Sequence, residues 1–328
     1  MSSTNVAKVK VHASARLHLG FIDLHGGLGR KYGSLGVSLE QPLCVVEVTY
    51  QNSKISVSGE QKERVYPIVK RFLSHFEVSH GVLVTVWECI PEHVGLGSGT
   101  QLGLAIGTGI AKLIGKESNP RTLAEILERG VVSGVGTATF TSGGFVVDGG
   151  KISAQLNTQP GRVPPLIIRH DVPTDWNFVV ATPNVAQGLS GVREERAFLE
   201  LPSASPESAG MVSRLVLMKL VPALVNDDID RFGEALTRIQ ILVGEAFASA
   251  QGGRFAFPEV NDCVKAMLDA GAKGAGQSSW GPTCYGLVRG AKEAAEVKQA
   301  ALEVLDAGIG GLVFVSAVNN SGAKITLD

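Results

Sequence analysis

The sequence predicts an α+β fold in two domains, and three observations carry that expectation. A strand of alternating β-branched residues, Val82, Val84 and Val86, stops at Pro91 and gives way to a glycine loop and a helix over about 102–114. Strand patterns at about 34–40, 43–50 and 54–58 read as an antiparallel meander, whereas long helical patterns gather in the second half. Residues 158–165, TQPGRVPP, mark an exit from a first domain at 1–165 into a second at 166–328.

The opening strand spans about 8–15, where Val9, Val11 and Ala13 alternate with polar residues. It runs into 16–27, RLHLGFIDLHGG, read as a loop suited to chemistry because Arg16 and His18 share one face of an extended segment. Arg30 and Lys31 follow between glycines and read equally as solvated charges and as phosphate ligands. A helix is expected over about 61–76, with Pro67 near its beginning, and Thr122 with Glu125 forms a capping box for a short helix ending before Gly130. A Gly-, Ser- and Thr-rich stretch over 133–144 leads into a strand at 145–148. The second half opens with a strand at 178–181 and a polar segment over 187–196, whose Arg193 and Arg196 read as a solvated helix start in preference to ligands. Helices follow at about 207–226, 228–249 and 259–270, and the stripe Ile229, Phe232, Leu236, Ile239, Val243 and Phe247 reads as core. A second glycine-dense loop at 271–282, a strand at 283–289, a helix at 291–306 and a strand at 311–318 complete the chain.

Gly95-Leu96-Gly97-Ser98-Gly99-Thr100, between strand and helix, has the makings of an anion cradle. Glycines let backbone N–H groups approach an anion, and the first helical turn adds unpaired N–H groups and a positive dipole end. Ser98 and Thr100 add hydroxyls for phosphate oxygens or Mg²⁺. No Lys-Ser/Thr follows, so this is not a Walker A motif. A tight turn punctuated by glycine is the competing reading. Gly103 and Gly107 suit close helix packing and need no ligand.

The chain has 328 residues, is 44% hydrophobic and 19% charged, and carries a formal net charge of −1. That balance excludes a nucleic-acid binder working through a broad basic face. Cys44, Cys89, Cys263 and Cys284 are scattered and read as reduced. No apolar leader and no uninterrupted apolar run of about 18 residues is seen, so a cytoplasmic protein without a membrane anchor is expected.

Pro91 and Gly95 to Ser98 resemble the phosphate loop of the GHMP kinase superfamily, with Gly99 and Thr100 where Ser-Ala is usual. Four segments, 14–26, 95–101, 133–150 and 276–282, resemble one branch of it, the β-ribofuranosylaminobenzene 5′-phosphate synthases. The resemblance implies a GHMP kinase-like two-domain fold, with a ribosomal S5 domain 2-like N-terminal domain and a ferredoxin-like C-terminal domain. It implies a decarboxylating phosphoribosyl transfer in methanopterin biosynthesis, joining phosphoribosyl pyrophosphate to 4-aminobenzoate or 4-hydroxybenzoate. Mevalonate-type kinases often carry an Asp where Gly136 stands here, which favours this branch over phosphoryl transfer. Gly95, Leu96, Gly97, Ser98, Gly99, Thr100 and Gln101 would hold the diphosphate, and Gly274, Gly276, Gln277, Ser278 and Ser279 would form the facing wall. Arg16 and His18 would bind the aryl carboxylate or 5′-phosphate, Asp23 and Ser98 would place Mg²⁺, and Trp280 would stack on the arene or serve the core. Glu92 and His93 read as a surface turn before proton carriers. A homodimer is expected from superfamily habit. The rival functions are an ATP-dependent small-molecule kinase and a non-catalytic binder of phosphoribosyl pyrophosphate or nucleotide.

Overall fold

A computed structural model describes residues 7–52, 54–130, 132–156, 162–185 and 203–328. The segment 187–196, with Arg193 and Arg196, lies outside the described residues.

Strand β1 (Lys8–Asp23) does not end at residue 15 but continues through the expected loop. Its extension is held by Leu17, Leu19 and Phe21, which are buried, and by antiparallel pairing with β2 (Arg30–Gln51), where Leu17 faces Val37 and Asp23 faces Tyr32. The strands expected at 34–40 and 43–50 are one strand of 22 residues. Pro42 has no N–H to donate, and it falls where the ladder is interrupted, between the pairs Ser14–Leu43 and Arg16–Ser38.

The meander also ends differently. β3 (Ser56–Gly59) runs parallel to β4 (Gly81–Glu88), with α1 (Lys62–His75) as the crossover. α2 (Ser98–Leu113) then lies across β1 and β2, almost wholly buried. α3 (Pro120–Ile126) starts earlier than the Thr122 capping box implies: Asn119 accepts from the Arg121 N–H at 2.9 Å, and Pro120 occupies the first turn, where its missing N–H costs nothing. Residues 135–142 form a short helix, α4 (Val135–Ser142), before β5 (Phe145–Asp148) and β6 (Lys151–Ile152).

β7 (Leu166–His170) pairs with β5 in the first sheet, so the sheets change over at β8 (Trp176–Pro183), a few residues past 165. α5 (Pro206–Leu215) passes through a π turn at Val216–Leu220 into α6 (Val221–Val225). By length and mean hydropathy of 1.5 this run is long and apolar enough to cross a bilayer, but Glu207, Arg214 and Lys219 interrupt it, and it packs on β1 and on α7 (Ile229–Gln251). The second sheet is antiparallel, in the order β11 (Gly311–Ala317), β8, β10 (Cys284–Arg289), β9 (Gly274–Gln277). α8 (Pro258–Asp269) and α9 (Gly290–Asp306) cover one of its faces with an apolar cluster of their own. The last strand, β12 (Lys324–Leu327), returns to pair with β1 and has no counterpart in the sequence reading. One continuous core joins Leu17 and Leu19 of the first sheet to Phe232, Leu236 and Ile239 of α7.

Candidate active site

The chain turns through Gly95 and Gly97, whose φ values of 99° and 82° are left-handed and suit a residue without Cβ. Gly97 caps α2 and its carbonyl accepts from the N–H groups of Thr100 and Gln101, at 3.1 and 3.2 Å. Ser98 and Gly99 occupy the first helical positions, where an N–H has no intrahelical acceptor. No acid sits in this first turn. Ser98 is 8% exposed, and its hydroxyl makes no hydrogen bond among the described residues.

Three guanidinium groups surround this helix end. A Cβ on Gly97 would stand 3.2 Å from Cζ of Arg16, and one on Gly99 would stand 2.9 Å from Nη2 of Arg64 and 3.3 Å from Nη1 of Arg129. Arg64 is steadied by Glu92, at 2.9 Å, and by Gln61, so Glu92 serves an ion pair and not a surface turn alone. Cations crowded at the positive end of a helix repel it, and an anion seated among them reverses the sign of every one of those interactions.

The cradle is fastened to the second sheet. The Gly95 carbonyl accepts from the Arg16 guanidinium and from the Ser278 hydroxyl, and Ser278 Oγ in turn accepts from the His18 N–H at 3.0 Å. Backbones touch as closely: a Cβ on Gly95 would lie 2.3 Å from the Ser278 carbonyl oxygen, and one on Gly281 2.1 Å from that of Val94. Ser278 has no exposed surface, so it is a fastener between the lobes and not a wall of the site.

His18 sits beside this junction, 3% exposed. Nδ1 accepts from the Gly20 N–H at 3.3 Å, which leaves the proton on Nε2, and Nε2 is buried with no hydrogen-bond partner among the described residues. Burial first, and the Arg16 charge second, push its pKa down to about 3. The ring is therefore a neutral N–H donor. It opens onto a pocket walled by Phe21, Phe247, Phe255 and Trp280, with Arg254, Gln251 and Gln277 among its polar residues. Phe247 and Trp280 meet at 4.5 Å between ring centroids, inclined at 60°. Trp280 thus belongs to both the core and the site.

Several residues expected to touch ligand do something else. Gly274 and Gly276 lie in β9 beneath α7, where a Cβ would come within 2.4 Å of the Gly233 carbonyl oxygen and 2.3 Å of Gln240 Cγ, so they serve helix–strand contact. Leu96 is core, and Gln101 is fully buried with Nε2 bonded to the Gly136 carbonyl at 2.9 Å. Gln277 lines the pocket, but its Oε1 accepts from the Ala256 N–H and its Nε2 donates to the Ser279 carbonyl, each at 2.8 Å. Ser279 lines the same pocket with φ 58°. Thr100 packs against Gly136: a Cβ there would stand 3.0 Å from its methyl carbon.

Asp23 accepts the His25 and Gly26 N–H groups at 2.7 Å each, capping the β1–β2 turn. It lies seven residues beyond Arg16 on one strand, roughly 20 Å at about 3.3 Å per residue, so Asp23 and Ser98 do not share one metal ion. Among the described residues no cluster of three or more His, Cys, Asp or Glu converges on a possible ion. Arg64, Arg129, Phe247 and Arg254 escaped the sequence reading because each looks like an ordinary helix or loop residue. The available signal was Gly99 in place of the usual Ser, which leaves room for two guanidinium groups.

Residues 63–144 match the GHMP kinases N terminal domain and residues 220–307 the GHMP kinases C terminal domain. Among solved structures, homoserine kinase from Cytophaga hutchinsonii superposes with a TM-score of 0.69 at 21% identity, covering 99% of each chain. Mevalonate kinase from Methanococcus jannaschii gives 0.68 at 12%, covering 95% of this chain and 98% of its own. Those likenesses establish the fold. Curated relatives named beta-ribofuranosylphenol 5′-phosphate synthase are nearer in sequence. The Methanothermobacter thermautotrophicus protein is 32% identical, covering 97% of this chain and 98% of its own length. The Archaeoglobus fulgidus protein is 35% identical over 85% of this chain and 87% of its own. With that identity over most of its length, on a GHMP kinase fold, the chain belongs to the β-ribofuranosylphenol 5′-phosphate synthase family.

Proposed function

We propose that this chain is a decarboxylating phosphoribosyltransferase of methanopterin biosynthesis that joins phosphoribosyl pyrophosphate to 4-hydroxybenzoate. The observation that carries the reading is the junction itself: one hydroxyl, Ser278 Oγ, ties the anion cradle at Gly95 to His18 at the rim of an aromatic pocket. A diphosphate on the N-terminus of α2 and an arene among Phe21, Phe247 and Trp280 would be neighbours. The relatives' name specifies a ribofuranosylphenol product, which 4-hydroxybenzoate yields on losing CO₂ and 4-aminobenzoate does not.

In this reading the C1–oxygen bond of the ribose breaks and pyrophosphate leaves with the bonding pair. The arginine groups and helix N–H groups around Gly97 and Gly99 stabilise the charge that develops there. The ring carbon bearing the carboxylate bonds to ribose C1. The carbon–carboxylate bond then breaks, CO₂ departs and its electrons restore the arene. No proton has to be removed, which agrees with a His18 held neutral. The Ser98 hydroxyl, together with the diphosphate's own oxygens, fits Mg²⁺, which would supply further neutralisation of the leaving group. Phosphoryl transfer is disfavoured because Gly136 has no side chain and Thr100 fills the adjacent space.

The test is a coupled assay for CO₂ and pyrophosphate with both benzoates. Equal amounts of the two products, formed faster with 4-hydroxybenzoate, are expected. ADP from ATP and a panel of alcohols, or no pyrophosphate with either benzoate, would sink the proposal.

A further inference from the structure

Arg30, which the sequence leaves equally a solvated charge and a phosphate ligand, takes no part in the reaction above. It lines a second cavity of about 180 Å³, between β6, the start of α3 and residues 162–165, that shares no residue with the cradle or the aromatic pocket. Arg30, Arg121, Lys151 and Arg162 all line it. The carboxylate beside them is Glu125, which accepts from the Val163 N–H at 3.3 Å and stands 3.5 Å from Arg121 Nε. Among the described residues, four cations meet in this concave site, with Glu125 beside Arg121.

Surface cations are ordinarily solvated and mobile, and Arg30 and Arg121 are not. Arg30 donates from Nε to the Gly149 carbonyl at 2.6 Å and from Nη2 to the Gly150 carbonyl at 2.8 Å, and Arg121 donates from Nη2 to the Val163 carbonyl at 2.8 Å. Each guanidinium has five N–H groups, so each is fixed by backbone with donors to spare. Lys151 is only 7% exposed, and burial lowers its pKa against the pull of Glu125. Packing like charges together while fixing their side chains is unfavourable by itself, and a multiply charged anion reverses it.

We infer that the cavity formed by Arg30, Arg121, Lys151 and Arg162 is a second anion site, separate from the α2 cradle, that takes a phosphate-class anion. The inference stands on this cavity alone and does not depend on the reaction proposed above. Titration calorimetry of the full chain with inorganic pyrophosphate, and separately with orthophosphate, at low salt tests it. Two classes of pyrophosphate site are expected. The Arg121→Gln/Arg162→Gln double variant should lose one class, by at least tenfold in affinity, while Arg64→Gln weakens the other. In parallel, pyrophosphate should slow phenylglyoxal labelling of Arg121 and Arg162, read peptide by peptide. Should the double variant not fold, Arg162→Gln alone, an exposed position, gives the same readout. Wild-type stoichiometry and affinity in these variants, or labelling rates indifferent to pyrophosphate, would overturn the site. Tighter binding of pyrophosphate than of orthophosphate would support a site for diphosphate groups, and comparable binding would support one for single phosphates.

Discussion

A guanidinium group beside the positive end of a helix is repelled by it, and α2 has three such groups within reach of Gly97 and Gly99. Arg64→Ala and Arg129→Ala should therefore each raise the KM for phosphoribosyl pyrophosphate about tenfold, roughly 1.4 kcal/mol, and leave the KM for the benzoate unchanged. Steady-state kinetics with one substrate saturating measures this, and equal effects on both substrates would argue against a diphosphate contact. Ser98→Ala should lower turnover at least about tenfold, because a hydroxyl in the first turn of α2 that makes no hydrogen bond among the described residues is left to meet a ligand. Unchanged kinetics would remove that hydroxyl from the site. His18 gives a pH signature. Its folded pKa of about 3 lies below the ordinary 6.5, so its contribution to stability is present above pH 6.5 and is lost as pH falls toward 3. Asp148, buried and pushed up to about 6, has the opposite sign: its contribution is present at low pH and is lost as pH rises through 6. The stability difference between wild type and His18→Asn should hence shrink by about 2 kcal/mol from pH 7.5 to pH 5. Urea midpoints at the two pH values check this, and a difference independent of pH would mean that folding leaves the pKa of His18 unshifted.

At the scale of elements, α2 shows why a strongly glycine-laden helix can still be rigid. A Cβ on Gly107 would stand 2.5 Å from the ring of Phe72, and one on Gly103 2.4 Å from Leu127. Alanine is worth up to about 1 kcal/mol more than glycine in a helix, but overpacking a filled core costs about 1–3 kcal/mol. Gly107→Ala should lower the melting temperature, and a rise would show that Phe72 yields freely. Such packing roles were legible in the sequence because a four-residue glycine spacing marks one helix face. The strand, glycine loop and helix at 81–113 were legible for a similar reason, since their periodicities are local. What the sequence did not disclose depends on distant partners. The stretch 16–27 looked like a loop because it holds two His, an Asp and three Gly, yet pairing with β2 makes 16–23 a strand. β12 is four residues that pair with β1, more than 300 positions away in the chain. α4 is poor in strong helix formers and owes its helix to packing on β2 and α2. In the site, Gly95 to Thr100 were found by their spacing, whereas Arg64 and Arg129 reach the same helix end from α1 and from the turn after α3, which only the fold brings together.

For the whole molecule, the proposed reaction needs the α2 cradle and the aromatic pocket held at one spacing, so the seam between the sheets decides whether the parts act together. At the site, the 93–97 turn and the 278–283 turn meet through the Ser278 hydroxyl, through the Thr283 N–H bonded to the Val94 carbonyl at 3.2 Å, and through facing glycines. Gly281 offers a steric probe, because its backbone is not left-handed and the obstacle to a side chain is the Val94 carbonyl oxygen, 2.1 Å from the added Cβ. Backbone cannot swing aside as a flexible side chain can, so Gly281→Ala must push the turns apart by about an ångström. A misplacement of that size can cost about a hundredfold in rate. Turnover should fall by about that factor, while the far-ultraviolet dichroism is retained because no helix or strand is broken. Gly210→Ala, on a face of α5 with nothing within 4 Å of the added Cβ, is the matched control and should leave turnover unchanged. If Gly281→Ala turns over as fast as Gly210→Ala, then the aromatic pocket and the cradle do not need their observed spacing, and the reaction is not assembled across this seam.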